Sequence, residues 1–362
     1  MKILHIHPSM AGGGIEAMVC GLVNEMAKYQ DVTLCTIYEP NKEEVFENKI
    51  SKDVHRATLG KNKIGFSIKE VFEIYRFIRN GHFDVVHIHG FFYYYILAVF
   101  LLRKRVKFVY TIHSDAAKEN SVWDRRIIKL KRYAFKKGFV HPVTISKESR
   151  RSFEAFYHLD SALIYNGIPK YESNTQTNKL DKYHQSNKTI IFFHPGRISV
   201  PKNQLVLVKV FNRLIKEGYD VTLLIAGQKK DLRIWSEIEP YLCERIVYLG
   251  ERNDVRDLFS EVDAFCLPSI WEGMPVTLLE ALSAGCIPIC SPVGGIPEVV
   301  TNGYNGFLSK DASEEAYYEA VKNFIVCPFV EVKQIQCNCK ESFENYKISE
   351  IAKKYIELYQ KI

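Results

Sequence analysis

Two glutamates eight positions apart, Glu272 and Glu280, frame a proline-led turn in the stretch 268–300. That stretch reads as strand, loop, helix, strand. Ala264 to Leu267 is the end of an apolar strand, Pro268-Ser269 a turn, Val276 to Ala284 a helix, Gly285 its stop, and Cys286 to Cys290 the next buried strand. Pro275 suits the first helical position, where its missing N–H would have no partner anyway. Glu272 then lies in the loop and Glu280 in the first turns of the helix. A helix rises about 1.5 Å per residue, so the two carboxylates can flank a ligand the size of a nucleotide sugar. Between them the helix N-terminus offers free N–H groups and partial positive charge to an anion. Upstream, Gly196-Arg197 follows the strand Ile190 to His194, with Lys202 five residues on. A fixed guanidinium with an ammonium suits a diphosphate. Taken singly, each of these groups reads as a solvated surface charge; their sum is what points to a site.

The first half carries a second constellation. Met1 to His7 is a short apolar strand, followed by Gly12-Gly13-Gly14 and a helix from Ile15 to Lys28. Such a turn lets backbone N–H groups approach a phosphate or a sugar. Gly12, Gly14 and Ala17 also satisfy the dinucleotide fingerprint, with Glu39 at the end of strand Val32 to Tyr38 as its ribose acid, so a two-domain NAD-dependent oxidoreductase is a rival on this segment. Phe83 to Gly90 is a strand ending in His87 and His89, which share a face by the period of two. Phe108 to His113 repeats the design. In open parallel sheets ligands bind at the carboxyl ends of strands. Phe91 to Leu102 is apolar nearly all round and, as a helix, is expected to be buried. Phe66 to Asn80, Ser114 to Gly138 and Lys147 to Phe156 read as helical, and Pro142 to Ser146 as another strand.

Glu272-Gly273, Glu280 within Leu278-Leu279-Glu280-Ala281, Gly285 and Gly294-Gly295-Ile296-Pro297-Glu298 together resemble the E-x7-E donor signature of the family 4 glycosyltransferases. Gly196-Arg197 with Lys202, the Thr111-x-His113 element and the Asn166-Gly167 turn match the same family, and the resemblance runs from Lys2 to Tyr359. It implies the α/β GT-B architecture: two Rossmann-like domains with parallel sheets facing an interdomain cleft. It implies transfer, with retention at the anomeric carbon, of a sugar from a nucleotide-diphosphate sugar, a UDP-sugar above all, to a hydroxyl of a glycan or lipid-linked acceptor in surface polysaccharide synthesis. In that reading His113, Glu272, Arg197 and Lys202 are the catalytic set. Gly13, Gly14, Arg197, Lys202, Glu272, Gly273, Met274, Pro275 and Glu280 hold the donor, Glu280 on the ribose and Glu272 on the sugar hydroxyls. Asn203 and Pro169 depart from the residues many members have at these places. No Asp-x-Asp metal cluster accompanies the site, so no metal and no cofactor beyond the donor are expected. A non-catalytic nucleotide-sugar-binding protein and a sugar-nucleotide epimerase share the fold and remain rivals, the donor-loop match arguing against the second.

The bulk numbers fit. At 362 residues the chain exceeds one ordinary core. The expected domains are 1–169 for the acceptor, a polar linker over 170–188, 189–345 for the nucleotide sugar, and a C-terminal helix over 346–362 that crosses back to the first domain. No apolar run is long enough to span a bilayer, the N-terminus does not read as a signal peptide, and Cys20, Cys35, Cys266, Cys286 and Cys290 sit in apolar runs as reduced core residues. A cytoplasmic location follows. Cys337-Asn338-Cys339 lacks the second pair that zinc needs. The net charge of +7 is concentrated in residues 101–151, which hold 15 basic and four acidic residues. A solvated face and an anionic partner, such as the inner face of the membrane carrying a polyprenyl-linked acceptor, are the two readings of that segment. Nucleic acid is disfavoured, since no recognition motif accompanies the charge.

Overall fold

The computed structural model describes residues 1–40, 46–62, 65–120, 125–171 and 180–362. The chain divides into two compact units: Met1–Pro169 with Tyr346–Ile362, and Lys170–Asn345.

The first unit is built on seven parallel strands: β1 (Lys2–His7), β2 (Asp31–Tyr38), β3 (His55–Lys61), β4 (Val85–Ile88), β5 (Lys107–Ile112), β6 (His141–Thr144) and β7 (Ala162–Leu163). Their order across the sheet is β3-β2-β1-β4-β5-β6-β7, with every pairing parallel. Parallel strands need helical crossovers, which cover both faces, so the central strands run almost wholly apolar. Thus Val85, Val86 and Ile88 of β4 and Phe108 and Val109 of β5 are fully buried. The chain leaves β1 first toward β2 and later toward β4, which opens a crevice at the carboxyl ends of β1 and β4. The helix Ile348–Lys361 belongs to this unit and buries Ile351, Tyr355 and Tyr359 in it.

Three local features of this unit differ from the sequence reading. Strand β3 was not foreseen, because HRATLGK has no apolar run and lies half exposed at the sheet edge. Phe91 to Leu102 is a 3-10 turn over Phe92–Tyr95 followed by the helix Ile96–Leu102, with Phe91 left-handed at its start. Its outer face is not buried, Leu101 being 59% exposed. The basic region from Ser114 contains two helices, Ala116–Asn120 and Arg125–Lys136, and residues 121–124 lie outside the described ones.

The second unit repeats the plan with β8 (Ile190–Pro195), β9 (Val221–Ala226), β10 (Ile246–Tyr248), β11 (Ala264–Leu267), β12 (Ile287–Cys290) and β13 (Phe307–Leu308), in the order β10-β9-β8-β11-β12-β13. Its crevice therefore opens at the ends of β8 and β11. Of the stretch read as a linker, residues 172–179 lie outside the described ones, while Leu180 is buried and its amide donates to Glu261 Oε2 at 3.2 Å. The helix Phe329–Phe343, which the sequence reading left unassigned, presents Cys337 to solvent and Cys339 to the core, so the two thiols do not share a face. Cys20, Cys35, Cys266, Cys286 and Cys290 are free and buried.

Candidate functional site

In the second unit the loops after β8 and β11 meet. Lys202 Nζ donates to Glu272 Oε1 at 2.7 Å, and Ser269 Oγ donates to the same oxygen at 2.6 Å. The Ile270 amide donates to the Pro201 carbonyl at 2.9 Å, tying one loop to the other. The ion pair is partly shielded, its side chains 22% and 11% exposed. Arg197, on the same loop as Lys202, is exposed, and among the described residues its guanidinium has no hydrogen bond or ion pair. Its carbonyl accepts from Gln204 Nε2 at 2.9 Å, which holds the backbone of the turn while leaving the charged end loose.

Two glycines make the loop packing possible. Gly227 closes β9 at a φ of +138°, and a Cβ there would lie 2.3 Å from the Gly196 carbonyl oxygen. Gly294, at φ +59°, passes so close to the Glu272 loop that a Cβ would lie 2.1 Å from the Glu272 carbonyl oxygen. The next amide, Gly295, donates to the Gly273 carbonyl at 2.6 Å. L-residues avoid this left-handed region, and here the space is absent as well.

The helix spans Val276–Ala284 and ends on left-handed Gly285. Pro275 lies one residue ahead of the first-turn position expected for it, at the N-cap, with an extended ψ of 124°. No side chain caps this end. Leu278 N–H reaches the Pro275 carbonyl, while the Val276 and Thr277 amides donate to no acceptor among the described residues. Two N–H groups with a positive helix end are thus left for an anion. Met274 is buried beneath the loop. Glu280 lies one turn further on, 4.0 Å from Arg256 Nε and 14% exposed. Arg197, Lys202, Glu272, Gly273, Met274, Pro275 and Glu280 therefore lie on three segments of one unit, and Lys202 touches Glu272 directly. The sequence reading missed that contact and the part of Ser269, although Ser269 stands only three residues before Glu272.

The first unit answers with histidines rather than charges. His5 and His87 are register partners on β1 and β4. His5 inside β1 and His87, His89 and His113 at the ends of β4 and β5 gather together, all at most slightly exposed except His113. His87 Nδ1 lies 2.6 Å from the Tyr359 hydroxyl and its Nε2 lies 2.7 Å from Thr111 Oγ1. Burial disfavours the charged imidazole, taking His5 and His113 down to about 3 and His87 and His89 well below the usual value. The nitrogens of His5, His87 and His89 are close enough together to frame a metal ion. Both His87 nitrogens are already committed to hydroxyls, and His5 Nδ1 and His89 Nε2 face each other at 3.1 Å. Beside the cluster is a cavity of about 300 Å³ lined by His89, Phe91, Tyr93, Tyr110 and His113, with Lys131 and Glu119 in its wall. That pair is joined at 2.8 Å, and Glu119 also accepts from the Tyr110 hydroxyl. Gly13 and Gly14 lie at the start of the helix Gly14–Met26, where the Gly13 carbonyl accepts from the Ala17 amide at 3.0 Å. The alternation of histidine at the ends of β1, β4 and β5 was visible in the sequence; the part of His5 and the Lys131–Glu119 pair were not singled out.

Comparison with known proteins places both units. The Glycosyltransferase Family 4 model matches residues 12–170 and the "Glycosyl transferases group 1" model residues 175–341. The Gly12–Gly14 turn thus falls within a glycosyltransferase match, not a nicotinamide oxidoreductase one. An Escherichia coli UDP-Gal:alpha-D-GlcNAc-diphosphoundecaprenol alpha-1,3-galactosyltransferase is 25% identical over 67% of this chain and 66% of its own length. A Campylobacter jejuni N,N'-diacetylbacillosaminyl-diphospho-undecaprenol alpha-1,3-N-acetylgalactosaminyltransferase is 24% identical over 50% of each chain. The chain thus spans half to two thirds of these two relatives. Among solved structures, a Rickettsia africae glycosyltransferase superposes with a TM-score of 0.81 at 18% identity, over 99% of this chain and 98% of the other. Anabaena HepE with UDP-glucose superposes with a TM-score of 0.79 at 19% identity over the whole of both. The fold is that of the GT-B glycosyltransferases, two parallel-sheet α/β units.

Proposed function

This chain belongs to the family 4 and group 1 glycosyltransferases, and we propose that it transfers a sugar from a UDP-sugar, with retention, to a hydroxyl of a polyprenyl-linked or glycan acceptor in surface polysaccharide synthesis. The observation that carries this reading is the meeting of Lys202 and Glu272 in front of an uncapped helix that bears Glu280. Glu280 takes the ribose hydroxyls. Glu272 takes the sugar hydroxyls and releases Lys202 to the diphosphate. Arg197, Lys202 and the Val276 and Thr277 amides neutralise the leaving phosphate as its charge grows, an electrostatic role. In the first unit, His113, Gly13 and Gly14 are the residues proposed to contact substrate. Cations and N–H groups thus stand where a metal ion could serve, so a chelator should leave turnover unchanged. The HepE complex with UDP-glucose and the undecaprenol-linked acceptor of the E. coli relative support the donor and acceptor classes.

No helix among the described residues is long and apolar enough to cross a membrane. The exposed charges of helix Arg125–Lys136, which bury only Lys131, Ala134 and Phe135, suit a peripheral site on the inner membrane face. Vesicles with anionic lipid should bind the protein and lose it when Arg125, Arg126, Lys129 and Arg132 are reversed in charge; equal binding would remove the membrane from the proposal.

The deciding measurement is thermal shift with UDP, GDP, ADP and NAD, without metal. A ligand that binds only the folded state raises the melting temperature. A shift with UDP that Glu280→Ala abolishes is the expected result. A shift with NAD alone would overturn the donor site, and a UDP shift without turnover on any acceptor would make the chain a nucleotide-sugar-binding protein instead.

A further inference from the structure

Asn203 stands between the loop that carries Arg197 and Lys202 and the helix Gln204–Lys216. Its backbone is left-handed, at φ +56° and ψ +35°. Glycine visits this region freely and asparagine tolerates it, so the conformation alone does not ask for a side chain. Yet the side chain is used. Asn203 Nδ2 donates to the Pro268 carbonyl and to the Ala312 carbonyl, each at 3.1 Å. A carboxamide nitrogen carries two N–H groups, and here both meet an acceptor. Since carbonyl oxygens only accept, the amide has one orientation.

The two carbonyls belong to separate loops. Pro268 follows β11 and opens the loop of Ser269 and Glu272. Ala312 lies between β13 and the helix Glu314–Ile325. One amide thus joins the loops after β8, β11 and β13. The two residues before it touch the same neighbour. The Pro201 carbonyl accepts from the Ile270 amide at 2.9 Å, and Lys202 Nζ donates to Glu272 Oε1 at 2.7 Å. Pro201, Lys202 and Asn203 are therefore stitched in turn to Ile270, Glu272 and Pro268. The residue after it is anchored as well. Gln204 is fully buried, donates through Nε2 to the Arg197 carbonyl at 2.9 Å and lies 3.1 Å from His194 Nε2. Gln204 thus ties the turn to its own strand, and Asn203 ties it to the neighbouring loops. The ion pair could not do this alone. A lysine side chain has many rotamers to lose when it is held, and a pair still open to water returns little.

We propose that Asn203 is a positioning residue of the donor site: its two amide hydrogen bonds hold the Lys202 loop against the Glu272 loop, so that ammonium and carboxylate are in place before a nucleotide sugar arrives. This rests on the reading that Lys202 and Glu272 contact the donor. A site ordered in advance loses less freedom when the ligand binds.

Two variants separate the side chain from the backbone. Asn203→Gly keeps the left-handed turn and removes both N–H groups. Asn203→Asp keeps the shape but turns an oxygen toward each carbonyl. Glycine also loosens the chain and aspartate does not, so the two must agree. The first readout needs no ligand: hydrogen exchange of the Ile270 amide, followed by NMR on the whole ¹⁵N-labelled protein. Its protection should fall roughly tenfold in both variants, while the amides of β9 keep theirs. The second is the Kd of UDP by calorimetry without metal, which should rise roughly fivefold, the factor one lost hydrogen bond gives. If Asn203 supplied only its backbone conformation, both variants would match the wild type, and that result overturns the proposal. So does protection lost in the glycine variant alone, or lost throughout the unit. Lower Ile270 protection with unchanged UDP affinity would confine Asn203 to loop packing and overturn the positioning role. A wild-type protein that binds no UDP, with the Ile270 amide behaving as expected, would leave the joined loops standing and remove the donor reading instead.

Discussion

The two units share one strand order and fill it with opposite chemistry. At the ends of β1 and β4 the polar groups are neutral imidazoles, packed against one another and against tyrosine hydroxyls. At the ends of β8 and β11 they are charges: Lys202 paired with Glu272, Arg197 loose on the same loop as Lys202, and a bare helix end. The second unit has one comparable buried imidazole, His194, held by the Cys266 carbonyl at 2.8 Å and by Gln204. Cations at a proposed diphosphate site must stay wet and movable, whereas neutral imidazoles packed in a sheet can be dry and rigid. Removal of a polar group should therefore cost stability in the first unit and rate in the second.

The largest effect should come at Lys131, the one buried cation of its helix. Its ammonium faces Glu119 and lies 4.1 Å from the Tyr110 ring centroid. Lys131→Ala takes the cation away from Glu119, which keeps the Tyr110 hydroxyl, and should lower stability by about 3 kcal/mol in denaturant unfolding; a loss under 1 kcal/mol would break the contrast from the first side. Arg197→Ala and Lys202→Ala attack it from the second. Each should cut kcat by roughly 10²–10³-fold while the melting temperature hardly moves, as steady-state kinetics and a thermal scan would show together.

Acid sharpens the contrast. The folded-state values of His5 and His113, about 3, and of His194, about 4, lie below the unfolded value. The unfolded chain therefore takes up more protons as pH falls below 6.5, and stability complete above that pH is lost progressively toward those folded values. Each such imidazole should cost about 2 kcal/mol at pH 5. Protection factors against hydrogen exchange should fall between pH 7 and 5 in the first unit before the second; the reverse order would contradict the placement of the neutral cluster. The smallest change is Tyr359→Phe, which removes the partner of His87 Nδ1 and should cost about 1–2 kcal/mol by thermal unfolding.

Much of the architecture was legible, for particular reasons. The apolar strands VTLLIA and AFCL are buried on both faces, so their pattern alone marks them. Val276–Ala284 was bounded by Pro275 and Gly285, residues whose backbone preferences are local. Edge strand β3 was illegible because a half-exposed strand carries no apolar signature. The residues of the proposed donor loop could be named from their types, their spacing and the family resemblance, yet the Lys202–Glu272 contact could not, since it joins positions 70 residues apart through the packing of two loops. The gathering of the histidines failed to show for the same reason. Alternation within β1, β4 and β5 is readable along each strand, but the meeting of His5, His89 and His113 depends on sheet order and on the turn at Gly90 and Phe91.

The helix Ile348–Lys361 gives the hydroxyls of Tyr355 and Tyr359 to Thr111 and His87, and Lys107 Nζ donates to the Tyr359 carbonyl. Translation therefore delivers the partner of His87 only after the whole second sheet has been made. The emerging first sheet must wait with a buried imidazole unanswered, and it reaches its finished state last although it is synthesised first. Domains that fold as they leave the ribosome usually mature from the N-terminus onward; here the order of completion is inverted, and the nascent chain spends that interval with its histidine crevice open.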